Sequence, residues 1–203
     1  MTNIAKAVNA NGLGMIDLGD LPGFGPSTRV PIADNDPLRS TFACFLGNIT
    51  PAANPTDLIQ IRGSASSIVR VRSLVFTGAA TAASNIFINT VRRSTPSTGG
   101  TSANQTLVNR DNLDNLPTAT VQLFSANPGA LGTLIGIADG GRLNIAPAAN
   151  GGIDRMLLQY SWLNDKAPIL RGVNDCLCIN LGGLAWPAGG ALDVNIVLSE
   201  DAI

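Results

Sequence analysis

From about residue 40 to about residue 200 the chain repeats one pattern: apolar residues alternate with polar ones in short runs, and each run is closed by Gly, Pro, Asn, Ser or Thr. The runs are "TFACFLGN", "TDLIQIRG", "SIVRVRSLVFTG", "SNIFINTVRRS", "TATVQLFSA", "LGTLIGIA", "GRLNIA", "RMLLQYSW", "PILRG", "DCLCINLGG" and "ALDVNIVLSE". A period of two belongs to half-buried β-strands, and closely spaced short strands with turn signals belong to an all-β sandwich or barrel. No segment of helical period competes; the start of "TDLIQI" is the best helical candidate, and its β-branched ending argues against it. Two connections, residues 94–117 and 145–154, are longer than hairpin loops and therefore cross between sheets or project from the body. These features predict a jelly-roll-like β-sandwich of about eight to ten strands for residues 39–203.

The most strongly β-like run, "SSIVRVRSLVFTG", carries two of the chain's 13 basic residues. Regular alternation places Ile68, Arg70, Arg72, Leu74 and Phe76 on one face and Val69, Val71, Ser73 and Val75 on the other. The second face is the expected core face. The first mixes arginine with large apolar groups, which suits a protein–protein contact, where an Arg stem packs and its head pairs. Arg70 and Arg72 are accordingly candidate partner-binding residues, with a solvated sheet face and a nucleic-acid contact as the competing readings.

Residues 1–38 are different. Gly12, Gly14, Gly19, Gly23 and Gly25 and Pro22, Pro26, Pro31 and Pro37 forbid a helix or a long strand. Yet Ile4, Val8, Leu13, Met15, Ile16, Leu18, Leu21 and Phe24 are too many apolar groups to leave wet. The segment reads as an extended N-terminal arm, with Leu18, Leu21 and Phe24 around the Pro22–Gly23 turn as its anchoring cluster.

The chain is low in charge, at 13% Asp, Glu, Lys and Arg, against roughly 25% in an ordinary soluble domain. Its 13 basic and 14 acidic residues nearly balance, so composition gives no argument for binding nucleic acid or a membrane surface. There is no histidine, which removes the commonest general base, metal ligand and partner of a Ser or Cys nucleophile. No apolar run reaches the length of a signal peptide core or the roughly 20 residues of a membrane span, so a soluble product made in the cytoplasm is expected. Cys44, Cys176 and Cys178 are read as reduced, partly buried thiols. The glycine doublets lack the Lys of a phosphate-binding loop, and Asp34, Asp36, Asp111 and Asp114 lack calcium-loop spacing, so turn and capping roles are expected. No cofactor, metal or enzymatic activity is expected.

As a set, "GSASSIVRVRSLVFTGAATAA", "VRRSTPSTGGTS", "LFSANPGALGTLIG" and "PILRGVNDCLCINLGG" resemble a class of tailed-bacteriophage and prophage virion structural proteins, most like capsid decoration or cement proteins. The resemblance covers roughly residues 45–200. It implies a non-enzymatic virion protein on the capsid exterior, a homotrimer whose partners are its own copies and the major capsid protein, with no membrane and no direct nucleic-acid contact. The alternative is a tail or fibre module that binds a host-surface glycan through Tyr160, Trp162 or Trp186.

Overall fold

The computed structural model describes residues 6–8, 14–17, 29–31, 39–147, 154–160 and 167–202. Contacts divide the chain into two units, Met1–Leu38 and Arg39–Ile203. In the first, three short strands, β1 (Lys6–Val8), β2 (Gly14–Asp17) and β3 (Arg29–Pro31), pair antiparallel in chain order. Leu18, Leu21 and Phe24 lie outside the described residues.

The second unit holds no helix among the described residues. Its strands are β4 (Ser40–Ile49), β5 (Asp57–Arg62), β6 (Ser67–Ala79), β7 (Ser84–Arg93), β8 (Ser102–Gln105), β9 (Val108–Asn109), β10 (Thr120–Phe124), β11 (Leu134–Ile145), β12 (Arg155–Gln159), β13 (Ile169–Arg171), β14 (Cys176–Asn180) and β15 (Ala191–Ala202). They form two antiparallel sheets. One has the order β12-β6-β15-β4-β9, with β13 also pairing β6; the other has the order β11-β7-β14-β5-β10-β8. The β-sandwich expected from the alternating runs is present. Its strands exceed the expected number because the long 94–117 connection contributes the short β8 and β9.

The pairings nest. β4 pairs with β15, β5 with β14, β6 with β12 and β7 with β11. The outgoing run β4 to β7 is thus matched antiparallel by the returning strands, and successive outgoing strands alternate between the two sheets. Facing side chains fill the space between: Phe42, Cys44, Val69, Val71, Leu74, Phe76, Ile196 and Leu198 from one sheet meet Ile59, Ile61, Ile88, Val121, Leu143, Leu177 and Ile179 from the other. All are almost completely buried, and each such aliphatic or aromatic group contributes about 1.5–3 kcal/mol on leaving water.

One expectation is corrected within β6. The pairing with β15 shifts register between Val197 and Leu198, where Ser73 and then Val71 are the partners, so Arg72 is an extra residue. A bulge of this kind reverses which face later side chains take. Val69 and Val71 before it, and Leu74 and Phe76 after it, therefore all point into the core. Arg70 and Arg72 do not share a face with Leu74 and Phe76. The same device operates in β5, where Ile179 pairs Ile59 but Asn180 pairs Asp57, skipping Leu58. Leu58, Ile59 and Ile61 join the core, while Asp57 and Gln60 face the other way.

Candidate interaction surfaces

Each sheet has an outer face, and each outer face carries arginines. On the β5/β7/β14 sheet the face is roofed by the loops that follow β7 and precede β11. Asp57, wholly buried, accepts two bonds from Arg93, Nε to Oδ2 at 2.7 Å and Nη2 to Oδ1 at 2.9 Å. Ser97 Oγ donates to Oδ2 at 2.6 Å and Asn180 Nδ2 to Oδ1 at 2.7 Å. Arg93 Nη1 donates to the carbonyl of Gly132 at 2.8 Å, the Gly132 amide donates to Ser97 Oγ at 3.1 Å, and the Ser97 amide donates to Gln60 Oε1 at 2.6 Å. Gly132 must be glycine here, because a Cβ would lie 1.8 Å from the Thr95 carbonyl oxygen. Desolvation pushes the Asp57 pKa up, but the bonds from Arg93, Asn180 and Ser97 and the Arg93 charge outweigh it and hold the carboxyl below its ordinary range. Each Asp57 oxygen accepts two bonds, and Arg93 donates from all three of its nitrogens. The network is a fastener for two loops.

Beside it, Cys176 and Cys178 pack with Val91 in a small second cluster on the same outer side. All three cysteines are free and buried, and burial raises the Cys176 thiol to about 11 and the Cys178 thiol further. Thiols this protonated are poor nucleophiles at neutral pH.

The outer face of the β6/β15/β4 sheet is built otherwise. Arg70 Nε donates to Asp201 Oδ2 at 2.7 Å, and Arg39 Nε lies 2.5 Å from Asp201 Oδ1, an ion pair without hydrogen-bond alignment. Arg72 Nε donates to Ser199 Oγ at 2.7 Å. Ser199 and Asp201 are alternate residues of β15, so the two acceptors stand on the strand face that Arg70 and Arg72 share. Two guanidiniums thus share one carboxylate, and that of Arg72 stands beside them on Ser199. Desolvation, then the neighbouring Arg39 and Arg70 charges, depress the Arg72 pKa against the pull of Asp201. Further along β4 and β9, Phe45 and Val108 project from the same sheet, 69% and 60% exposed. The structure therefore brings Arg70 and Arg72 together and adds Arg39.

A third feature lies at an edge. β11 pairs only β7 within its sheet, and Leu134, Ile135 and Ile137 at its start are each at least 60% exposed, with Leu131 half-exposed just before them. Residues 115–138 contain no charged side chain. Edge strands are usually guarded by Lys, by Pro or by inward charges. Asp139 and Arg142 come later in β11; among the described residues its uncharged start is blunted by the two register shifts.

Tyr160 and Trp186, candidates for glycan stacking, are partly buried against the core. Tyr160 Oη donates to Asp139 at 2.9 Å and Trp186 Nε1 to the Gly190 carbonyl at 2.9 Å, so both polar tips are already engaged. Trp162 lies outside the described residues, as do Asp34 and Asp36. Asp111 accepts from the Leu113 amide at 2.9 Å and Asp114 from the Thr41 amide at 3.3 Å, both backbone-binding roles. Among the described residues no group of three Cys, Asp or Glu is placed to hold a metal ion.

Sequence reasoning missed Asp57, Gln60 and Arg93. An acidic residue opening a strand of otherwise apolar pattern, "TDLIQI", was the available signal, since a buried carboxylate implies a buried cation. No protein-family model matches the chain, no curated protein matches it in sequence, and no solved structure matches it.

Proposed function

We propose that this chain is a non-enzymatic structural protein of a virion, a head decoration or cement protein that oligomerises, as a homotrimer, and binds neighbouring subunits of the major capsid protein on the capsid exterior. The observation that carries this reading is the uncharged, apolar start of the edge strand β11, where Leu134, Ile135 and Ile137 are exposed ahead of the charged Asp139 and Arg142. An edge of this kind offers both backbone hydrogen bonds and apolar area to a neighbouring protein, and without cover it invites aggregation. The exposed Phe45 and Val108 beside the arginine face add a second surface of interface character.

The nested pairing of β4 to β7 with β11, β12, β14 and β15 supports the jelly-roll reading, because it is the order produced when one long antiparallel ribbon is rolled into two sheets. The functional mechanism is thermodynamic. A protein that binds only the assembled shell stabilises it against dissociation, and repeated weak contacts add through multivalency.

The test is Ile135→Asp with Ile137→Asp, measured as copy number on purified particles by cryo-electron microscopy and as release on heating. Occupancy is expected to fall to a small fraction of the wild-type value. Undiminished occupancy and unchanged heat release by a correctly folded variant overturn the assembly role of this edge.

A further inference from the structure

We infer that Arg70 and Arg72, supported by Arg39, form a docking site for an acidic protein segment whose carboxylates alternate along an extended chain. The inference deepens the assembly reading by naming the chemistry of the partner. Its basis is what the arginines leave undone.

Arg70 and Arg72 each spend a single nitrogen, Nε, on the protein: one on Asp201 and one on Ser199. Among the described residues neither Nη of Arg70 or Arg72 makes a hydrogen bond, and none of those atoms is both buried and unsatisfied. A guanidinium held at Nε is fixed in orientation, and here its Nη groups are left without a partner among the described residues. That is the posture from which Arg takes a carboxylate. By contrast Arg93 uses Nε and both Nη nitrogens inside the protein, so a free fork is not a general habit of arginine in this fold.

Charge points the same way. Among the described residues, the three guanidiniums of Arg39, Arg70 and Arg72 against the Asp201 carboxylate leave two positive charges in excess (three minus one), with Asp114 set apart on the Thr41 amide, in a chain whose net charge is −1. The mutual repulsion of the three cations is only partly relieved by Asp201, and an incoming anion relieves the rest. Arg70 and Arg72 lie on one strand face at i and i+2, a separation of about 6.5–7 Å in a regular strand, with Arg72 at the bulge. A partner with Asp or Glu at every second position of an extended segment matches that spacing. The site favours carboxylates over a nucleic-acid backbone because Asp201 lies among the arginines and Asp114 is bonded to Thr41, close to Arg39, anions that tell against a long phosphate track.

The experiment uses the full chain labelled with nitrogen-15 and follows the Arg Nε–H resonances in titrations at low and high salt. The probe is an acetylated peptide of alternating glutamate and serine; its glutamine counterpart and a single-stranded oligothymidylate are compared. Saturable shifts of the Arg70 and Arg72 signals with the glutamate peptide are expected, weakened at least about tenfold by glutamine replacement or by added salt. In the Arg70 and Arg72 variants, which lack those side-chain signals, binding is followed through the backbone amides of Ser199 and Asp201. Arg70→Gln with Arg72→Gln should abolish it; Arg70→Lys with Arg72→Lys, which keeps charge and fold, should weaken it severalfold because the fork is lost, while the exposed Arg155→Gln should change nothing. Equal response to the glutamine peptide, tighter binding of the oligonucleotide, no saturation by the glutamate peptide, or wild-type affinity in the lysine variant each overturns the inference. Full particle occupancy by the Arg70→Gln, Arg72→Gln protein, despite its loss of peptide binding, overturns this site as an assembly contact and leaves the edge untouched, whereas loss of occupancy in the β11 edge variant, whose arginines are intact, speaks only to that edge.

Discussion

Asp57–Arg93 and Asp201–Arg70 pair the same two side-chain types, and both stand next to a strand bulge, yet they do different work. The Asp57 pair is desolvated and saturated: Ser97, Asn180, Gln60 and Gly132 complete its hydrogen bonds, and two loops hang from it. The Asp201 pair is about a quarter exposed on each side chain, shares its carboxylate with a second arginine and leaves guanidinium edges open. The difference lies in cover. Where loops roof a sheet face, an ion pair becomes internal structure; where the side chains keep part of their surface in solvent, the same pair leaves guanidinium nitrogens without a partner among the described residues.

The sharpest way to break this comparison is to remove one partner of the roofed pair. Arg93→Ala leaves the Asp57 carboxylate buried without its cation and should cost about 3–5 kcal/mol of unfolding free energy, read from the denaturant midpoint. Replacing both charges, Asp57→Leu with Arg93→Met, should recover most of that loss but leave a residual of about 1–2 kcal/mol, because Ser97 and Asn180 lose their acceptor. Recovery to no better than the single variant would mean that the charge pair itself, and not the unpaired carboxylate, dominates.

How much of this contrast is legible in the sequence depends on bulges. The sandwich is legible, since alternation and turn chemistry are local properties of the runs between residues 40 and 200. The faces are less so. Assigning Leu74 and Phe76 to the side of Arg70 follows from strict alternation, and one extra residue at Arg72 defeats it. That extra residue is defined by the partner strand β15, more than a hundred positions away, and nothing in "VRVRSLVF" marks it. Asp57 was hidden in the same manner, its facing reversed by the skipped Leu58. Arg70 and Arg72 could be named from sequence as outward-facing. Their link to Arg39 and Asp201 could not, because it arises only when β4, β6 and β15 lie side by side.

Acid sharpens the comparison at smaller amplitude. The folded-state pKa of Asp57 is held below its ordinary value, so the stability it contributes is fully present above the unfolded carboxyl value of about 3.9 and is lost as pH falls through the folded value. Unfolding free energy should therefore drop more steeply below about pH 4 in the wild type than in the Asp57→Leu, Arg93→Met protein. Identical slopes would show that Asp57 is not the group that senses acid.

The open pair should respond least. Arg70→Gln is expected to change stability by no more than about 1 kcal/mol, and moderate salt should shrink even that. A cost comparable to that of Arg93→Ala would place Arg70 among the internal fasteners and remove the contrast.

The nesting of the strands also bears on how the molecule is made. β15, residues 191–202, lies between β4 and β6 and pairs with both. Until those residues emerge from the ribosome, the sheet that will carry the arginine face consists of two parts with a gap one strand wide, and Phe42, Leu74 and Phe76 lack the Leu192, Val194, Ile196 and Leu198 that complete their layer. Closure must wait for the end of this sequence and then join positions more than a hundred residues apart, the kind of non-local pairing that folds on the millisecond-to-second scale. During that interval the chain carries open strand edges on both sides of the missing β15, so the nascent protein is most exposed to wrong partners just before it acquires the surface on which the right ones would dock.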